Sequence, residues 1–331
     1  VQVCILKILV LSPVSGYIVR KAISENLRKG QAPPQFVVAD NSESEIDSMD
    51  DVEVVVGDYT LKRKIDSNFL DHASNLRFIQ QPTLSCENID LQACALRGIK
   101  VANVNEGTEA SVAEYCIAVA ISLLRNIFYS HMSLLEGNWS RKEVIEASSE
   151  LKGKTWGIIG INKESVYLSR LVNSFGAKVL YHSNNKLKET EERRLRMKFK
   201  EFEQLLIESD VVSLHEDNIG IIKDRLAIGE NELKLMKPNS VLITTSKSVD
   251  EIALAKALLN GQIMGAAVDT FAKEEEFISN PLFLAAKEGA PVILTPHIAF
   301  DTADGRLRRF SLAFANVIRF ISGEQPENLV V

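Results

Sequence analysis

The segment Leu294-Thr295-Pro296-His297-Ile298-Ala299 sets a lone histidine just past a short apolar run, Val292–Leu294. Upstream, the run Ile263–Val268 and Asp269 are followed by the acidic cluster Glu274-Glu275-Glu276. Histidine is the side chain whose ordinary titration lies closest to neutral pH, and a carboxylate that reaches it fixes its tautomer and favours its protonated form. Such a pair can deliver and withdraw a proton during a reaction. In an open α/β sheet the ligand crevice lies outside the carboxyl ends of the strands, which is where this histidine falls. A histidine after a strand is by itself more often structural than catalytic, so the reading depends on what surrounds it.

The surrounding chain alternates strand-like and helical patterns. The first series runs through strands at Val3–Leu11, Phe36–Ala39, Val52–Val56, Leu76–Gln80 and Val101, with helices at Gly16–Arg28, Ser67–Ala73 and Asn88–Leu96. Glu109–Leu135 reads as one long helix, apolar nearly all round and so buried on several faces, with Thr108 and Ser111 as candidate caps. A second series places strands at Thr155–Ile159, Lys178–His182, Val211–Leu214, Val241–Thr244, Ile263–Val268 and Val292–Leu294. Its helices are Glu164–Phe175, Lys200–Glu208, Glu230–Met236 and Glu251–Leu259, and a last helix spans Asp301–Ile321. The charged stretch Lys186–Lys200 reads as a solvated face or loop. Strand–helix alternation of this kind predicts an α/β chain built on doubly wound parallel sheets.

Bulk properties narrow the partners. A length of 331 residues predicts two domains. A net charge of −6 argues against nucleic acid or an anionic membrane as the main partner, and no run of 18 apolar residues suggests a membrane span. The apolar start reads as a first strand rather than a signal peptide. Cys4, Cys86, Cys94 and Cys116 form no C-x-x-C pair and have no histidine at ligand spacing, which predicts no metal site and free thiols in the cytoplasm. Cys86, in a loop, is the thiol to watch for reactivity.

Several segments, in order, carry a resemblance. They are Arg97-Gly98-Ile99-Lys100-Val101-Ala102-Asn103, Ser111-Val112-Ala113-Glu114, Glu232-Leu233-Lys234-Leu235-Met236-Lys237-Pro238, Gly265-Ala266-Ala267-Val268-Asp269, the histidine segment, and Pro326-Glu327-Asn328-Leu329-Val330. The chain resembles the D-isomer-specific 2-hydroxyacid dehydrogenases over nearly all its length. The resemblance implies a flavodoxin-like substrate domain, 1–107 plus 300–331, into which a Rossmann-type dinucleotide domain, 108–299, is inserted. It also implies a homodimer around the long helix. The implied reaction is reversible hydride transfer between a nicotinamide and C2 of a small 2-keto or 2-hydroxy acid. His297 would be the general acid and base and Glu274 its orienting carboxylate, with Glu275 as the alternative register.

The departures from the family pattern are as informative. Where the family has an arginine, after the strand Val241–Thr244, this chain has Thr245-Ser246-Lys247. Lys247 keeps the charge but not the planar two-pronged contact. The phosphate turn reads Gly160-Ile161-Asn162-Lys163-Glu164-Ser165, so only the first glycine of G-x-G-x-x-G survives. Asn162, tolerant of left-handed backbone, is expected to keep the turn while crowding the phosphates, and Glu164 adds a negative charge that Lys163 partly offsets. The strand ending at His182 continues Ser183-Asn184-Asn185-Lys186 without the carboxylate that grips an NAD ribose, so NADP is at least as well served as NAD. Ser183, Asn184 and Lys186 are the candidate ribose contacts, and His215, Thr245 and Asp269 complete the candidate cofactor set. The substrate loop Thr83-Leu84-Ser85 has lost its glycines, and the stretch His215–Arg225, which lines the cofactor cleft in relatives, is about two residues longer. Three functional readings follow: a working NAD(P)-dependent oxidoreductase; a degenerate homologue that binds or regulates and holds a cofactor weakly or not at all; or a different reaction on a related acid, with Lys247 as a base or electrostatic clamp.

Overall fold

Near-continuous apolar runs are what a strand buried on both faces requires, and central strands of both sheets, such as Val52–Val56, Val211–Leu214 and Val241–Thr244, are of this kind. The computed structural model describes residues 7–39, 49, 51–139, 141–215 and 228–331. The chain divides into two units, Val1–Gly107 with Ala303–Val331, and Thr108–Thr302.

In the first unit, β1 (Lys7–Val10), β2 (Gln35–Val38), β3 (Val52–Val56), β4 (Phe78–Gln80) and β5 (Lys100–Ala102) form a parallel sheet of order β2-β1-β3-β4-β5. This is the flavodoxin-like winding. Helix Ala303–Ile321 packs on helix Gly16–Asn26, where the Asn26 amide donates to the Ser311 carbonyl at 2.9 Å. Its Phe310, Phe314 and Val317 are buried with Ile8, Val10, Val54 and Phe78.

The second unit holds β6 (Thr155–Ile159), β7 (Lys178–His182), β8 (Met197–Phe199), β9 (Val211–Leu214), β10 (Val241–Thr244), β11 (Gly265–Val268) and β12 (Val292–Leu294). All neighbours are parallel, in the order β12-β11-β10-β9-β6-β7-β8. The winding reverses between β6 and β9, the Rossmann switch point where a ligand crevice opens at the carboxyl ends. Gly157 on β6 has no room for a side chain, because a Cβ there would meet the Leu205 side chain at 2.6 Å and also Ser209 Oγ.

One expectation is corrected, and two stretches take a more definite form. The long helix Glu109–Leu135 is broken into Glu109–Leu124 and Ile127–Leu135, bent by 61°. Arg125 leaves helical angles with ψ 2°, and Asn126 adopts the left-handed φ 51° that asparagine tolerates better than most residues. Only the first segment is buried on several faces; the second exposes Ile127, Phe128, Tyr129, Leu134 and Leu135. The stretch Lys186–Lys200, expected as a solvated face or loop, is a solvated face carried by helix Glu189–Leu195 and edge strand β8. Leu195 and Met197 anchor it inward while its charges face water, as suits a sheet edge. Finally, the acidic cluster opens a 3-10 helix, Glu274–Ser279, and is followed by helix Pro281–Lys287. Among the described residues, no single helix is long and apolar enough to cross a membrane.

Candidate active site

β11 and β12 run side by side with Val268 opposite Leu294, so Asp269 and Thr295 leave the sheet together. Asp269 is 1% exposed, and its carboxylate holds the loop beyond β12. Oδ1 accepts from Thr295 Oγ1 at 2.5 Å and from the Ile298 amide at 2.9 Å, and Oδ2 accepts from the Ala299 amide at 2.9 Å. The His297 amide donates to the Asp269 carbonyl at 2.8 Å. Together these bonds fix His297 at φ 55°, a left-handed conformation that a non-glycine residue adopts only when its surroundings impose it. Tyr115, from helix Glu109–Leu124, hydrogen-bonds Thr295 Oγ1 at 2.8 Å. The threonine proton is already directed to Asp269, so the tyrosine is the donor. Burial pushes the Tyr115 phenol far above its ordinary range, keeping it protonated.

Glu274, first residue of the 3-10 helix, places Oε1 3.0 Å from His297 Nδ1 and 3.8 Å from Lys247 Nζ. The three predicted catalytic side chains are thus one cluster around a shared carboxylate. Nδ1–H donates to Glu274, which leaves Nε2 as the atom for proton transfer. The imidazole stands edge-on to Phe300 with ring centroids 5.1 Å apart. The side chains of His297, Glu274 and Lys247 are 41%, 39% and 54% exposed, open enough to meet a substrate and to be partly screened by water. Glu275 makes no contact with the histidine among the described residues, and Glu276 pairs with Lys273 at 3.1 Å.

On the cofactor side, Gly160 turns at φ 92° and its amide donates to the His182 carbonyl. Asn162 departs from the left-handed expectation: it is extended, φ −138°, and caps its own helix, Lys163–Ser174. Its side-chain oxygen accepts from the Ser165 amide at 2.8 Å while Ser165 Oγ accepts from the Asn162 amide at 2.9 Å. An asparagine before a helix gains more by capping than by adopting left-handed angles. Glu164 accepts from Thr108 Oγ1 at 2.6 Å, so that threonine reaches Glu164 instead of capping its own helix, and Ser111 bonds Thr302 at 2.9 Å.

Ser183 is buried and its hydroxyl donates to the Asn185 carbonyl, which closes the turn after β7; Asn184 lies exposed on that turn. Lys186 stacks its ammonium 5.4 Å from the Phe199 ring centroid. The Thr245 hydroxyl donates to the Leu214 carbonyl at 3.2 Å, tying β10 to β9. His215 follows β9 at the switch point, its amide bonded to the Ile159 carbonyl. Ser213 Oγ accepts from Trp156 Nε1 at 2.9 Å and is hydrogen-bonded to His215 Nε2 at 3.0 Å. His215 Nδ1 is buried with no partner among the described residues. Burial lowers the His215 pKa to about 4, so the ring is neutral at pH 7. The rest of the stretch predicted to line the cleft, 216–225, lies outside the described residues.

A dinucleotide fits this unit at the Gly160 turn and at the β6/β9 switch point, beside the buried His215 ring. It meets competition at the first turn of helix Lys163–Ser174. In the other unit, Thr83 Oγ1 accepts from the buried Gln81 amide at 2.8 Å and donates to the Ser85 carbonyl, while Asn103 donates to the Leu84 carbonyl at 2.8 Å. The loop is therefore pinned from below by Gln81 and Asn103, two residues the sequence did not single out. The Cys86 thiol, expected as the reactive one, is pushed up by burial and so holds less thiolate than a free cysteine. Cys4 lies outside the described residues.

Residues 117–299 match the family described as "D-isomer specific 2-hydroxyacid dehydrogenase, NAD binding domain". A glyoxylate reductase from Thermococcus litoralis is 35% identical over 308 residues, covering 91% of this chain and 88% of its own. The chain belongs to the D-isomer-specific 2-hydroxyacid dehydrogenase family. Among solved structures, D-lactate dehydrogenase with NAD+ from Lactobacillus jensenii superposes on the dehydrogenase with a TM-score of 0.83, covering 98% of this chain and all of its own at 23% identity. An acyclic imino acid reductase in complex with NADPH and D-Arg does so with a TM-score of 0.75, 98% and 100% coverage and 22% identity. At these identities the two structures bear on the fold alone. That fold is the expected one: two parallel, doubly wound α/β sheets, the second of Rossmann type.

Proposed function

We propose that this dehydrogenase interconverts a small 2-keto acid and a D-2-hydroxy acid with NAD or NADP, using His297 as general acid and base. The observation that carries the reading is the 3.0 Å contact between His297 Nδ1 and Glu274 Oε1, on a loop clamped by Asp269. A bound nicotinamide cofactor would supply or accept the hydride. His297 Nε2 gives a proton to the carbonyl oxygen in reduction and takes it from the hydroxyl in oxidation. Glu274 keeps Nδ1 protonated and stabilises the imidazolium. Lys247 draws the substrate carboxylate and polarises the carbonyl as a point charge, a looser guide than an arginine fork.

For cofactor binding we assign Gly160, Asn162, Lys163, Ser183, Asn184, His215, Thr245 and Asp269, the last chiefly by holding the histidine loop. For the acid's carboxylate we assign the backbone of Thr83, Leu84 and Ser85. NADP is at least as well served as NAD, because the turn after β7 carries no carboxylate to repel a 2′-phosphate. A homodimer accounts for the exposed apolar face of helix Ile127–Leu135. A cytoplasmic location suits the free thiols Cys86, Cys94 and Cys116. The degenerate-homologue reading is less well supported, because drift has no reason to keep histidine, glutamate and a cation assembled. The test is oxidation of NADPH and NADH by the purified protein with glyoxylate, hydroxypyruvate, pyruvate and branched 2-keto acids. Turnover of at least one acid is expected, and none with either cofactor would overturn the proposal.

A further inference from the structure

The first turn of helix Lys163–Ser174 holds contacts that the reaction above does not use. Asn162 Oδ1 takes the Ser165 amide, and Ser165 Oγ takes the Asn162 amide. The same hydroxyl donates to the Asn162 carbonyl at 3.1 Å, and Ser165 is fully buried. Glu164, second residue of the helix, puts a carboxylate on this turn, held by Thr108 at 2.6 Å. In a G-x-G-x-x-G turn, such amides and the positive end of the helix dipole receive the pyrophosphate. Here the chain supplies its own oxygens and its own negative charge to them.

We infer that Asn162, Ser165 and Glu164 form an internal occupant of the phosphate turn, which a dinucleotide must displace, so that these residues hold cofactor affinity down. The inference rests on the dinucleotide reading above. Two observations separate it from an ordinary helix cap. Gly160 keeps φ 92°, the tight turn that brings a ligand against backbone. Beside it, buried His215 leaves its ring Nδ1 without a partner among the described residues, a polar atom that a bound ligand can satisfy. Stability of the empty protein and affinity for the cofactor are then opposed through the same bonds. Loosening the cap raises the free energy of the empty state only.

The experiment titrates the whole protein with NADPH and NADH by calorimetry, alongside melting curves without cofactor. For Asn162→Ala the dissociation constant should fall about five- to tenfold, since an N-cap bond of this kind is worth up to about one decade in an equilibrium constant. The melting temperature without cofactor should fall by about 2–4 °C. Ser165→Ala, which removes the reciprocal acceptor, should move both readouts the same way. Glu164→Gln should tighten binding, and Asn162→Asp, which keeps the cap and adds charge, should weaken it. If the wild type binds and Asn162→Ala and Ser165→Ala bind equally or more weakly, the inference fails while the function stands. If neither wild type nor variants bind either dinucleotide, both fail. Binding by Asn162→Ala alone would support the inference most strongly.

Discussion

Replacing Asp269 with asparagine isolates what the histidine loop depends on. The carboxylate accepts three bonds, from Thr295 Oγ1, the Ile298 amide and the Ala299 amide, and it is 1% exposed, so water neither screens nor replaces them. A hydrogen bond to a charged group contributes about 1.5–3 kcal/mol. Asparagine keeps one accepting oxygen and sets its NH2 against at least one donor amide. One bond is lost and two donors face each other, a cost of roughly 2–4 kcal/mol. Freed from the clamp, His297 relaxes from φ 55° toward ordinary angles, and a shift of about 1 Å in a proton donor costs around a hundredfold in rate. The assays are kcat/KM with the best 2-keto acid and the urea midpoint of the same preparation. Glu274→Gln is the control: the pair is about 40% exposed, so activity should fall around tenfold while the midpoint barely moves. If Asp269→Asn keeps kcat/KM within about twofold and an unchanged midpoint, the clamp argument is wrong.

Other outcomes follow from single observations. Lys247→Arg should keep or improve turnover, and Lys247→Met should lose roughly ten- to a hundredfold, with the larger change in KM; an unchanged KM for the methionine variant would remove Lys247 from substrate binding. His215 has its pKa lowered to about 4 by burial, below its unfolded value near 6.5, so the folded state refuses a proton the unfolded state takes up. Its contribution is complete above pH 6.5 and is lost as pH falls toward 4, by up to about 3 kcal/mol. The difference in stability between wild type and His215→Gln should therefore shift across that window, and a constant difference would contradict the burial argument. Gly265→Ala places a Cβ 2.9 Å from the Pro291 carbonyl and 3.0 Å from Leu123, so it should destabilise by about 1–3 kcal/mol in denaturant titration, against no change if β12 yields freely.

Much of the sheet was readable because parallel strands are unbroken apolar runs: Val211–Leu214, Val241–Thr244 and Val292–Leu294 form as their composition predicts. The break after Leu124 was not, since neither glycine nor proline marks it and Asn126 acts through its backbone angles. Charge concealed β8, because an edge strand shows only its inward residues, Met197 and Phe199, as apolar. The His297–Glu274–Lys247 grouping was legible from strand ends and family resemblance. The clamp was not: Asp269 and Thr295 meet through the register of β11 and β12, and Tyr115 joins them from 180 residues earlier in the chain. The Asn162 cap had a signal, an asparagine three residues ahead of a serine at a helix start, which a glycine fingerprint obscured.

The most direct measurement is kcat/KM against pH for 2-keto acid reduction by wild type and His297→Gln, at saturating NADPH. The wild type should lose activity as pH rises through a single ionisation, with His297→Gln about a thousandfold or more slower and flat over that range. Equal rates and the same pH profile in both proteins would place the proton donor elsewhere and contradict the account.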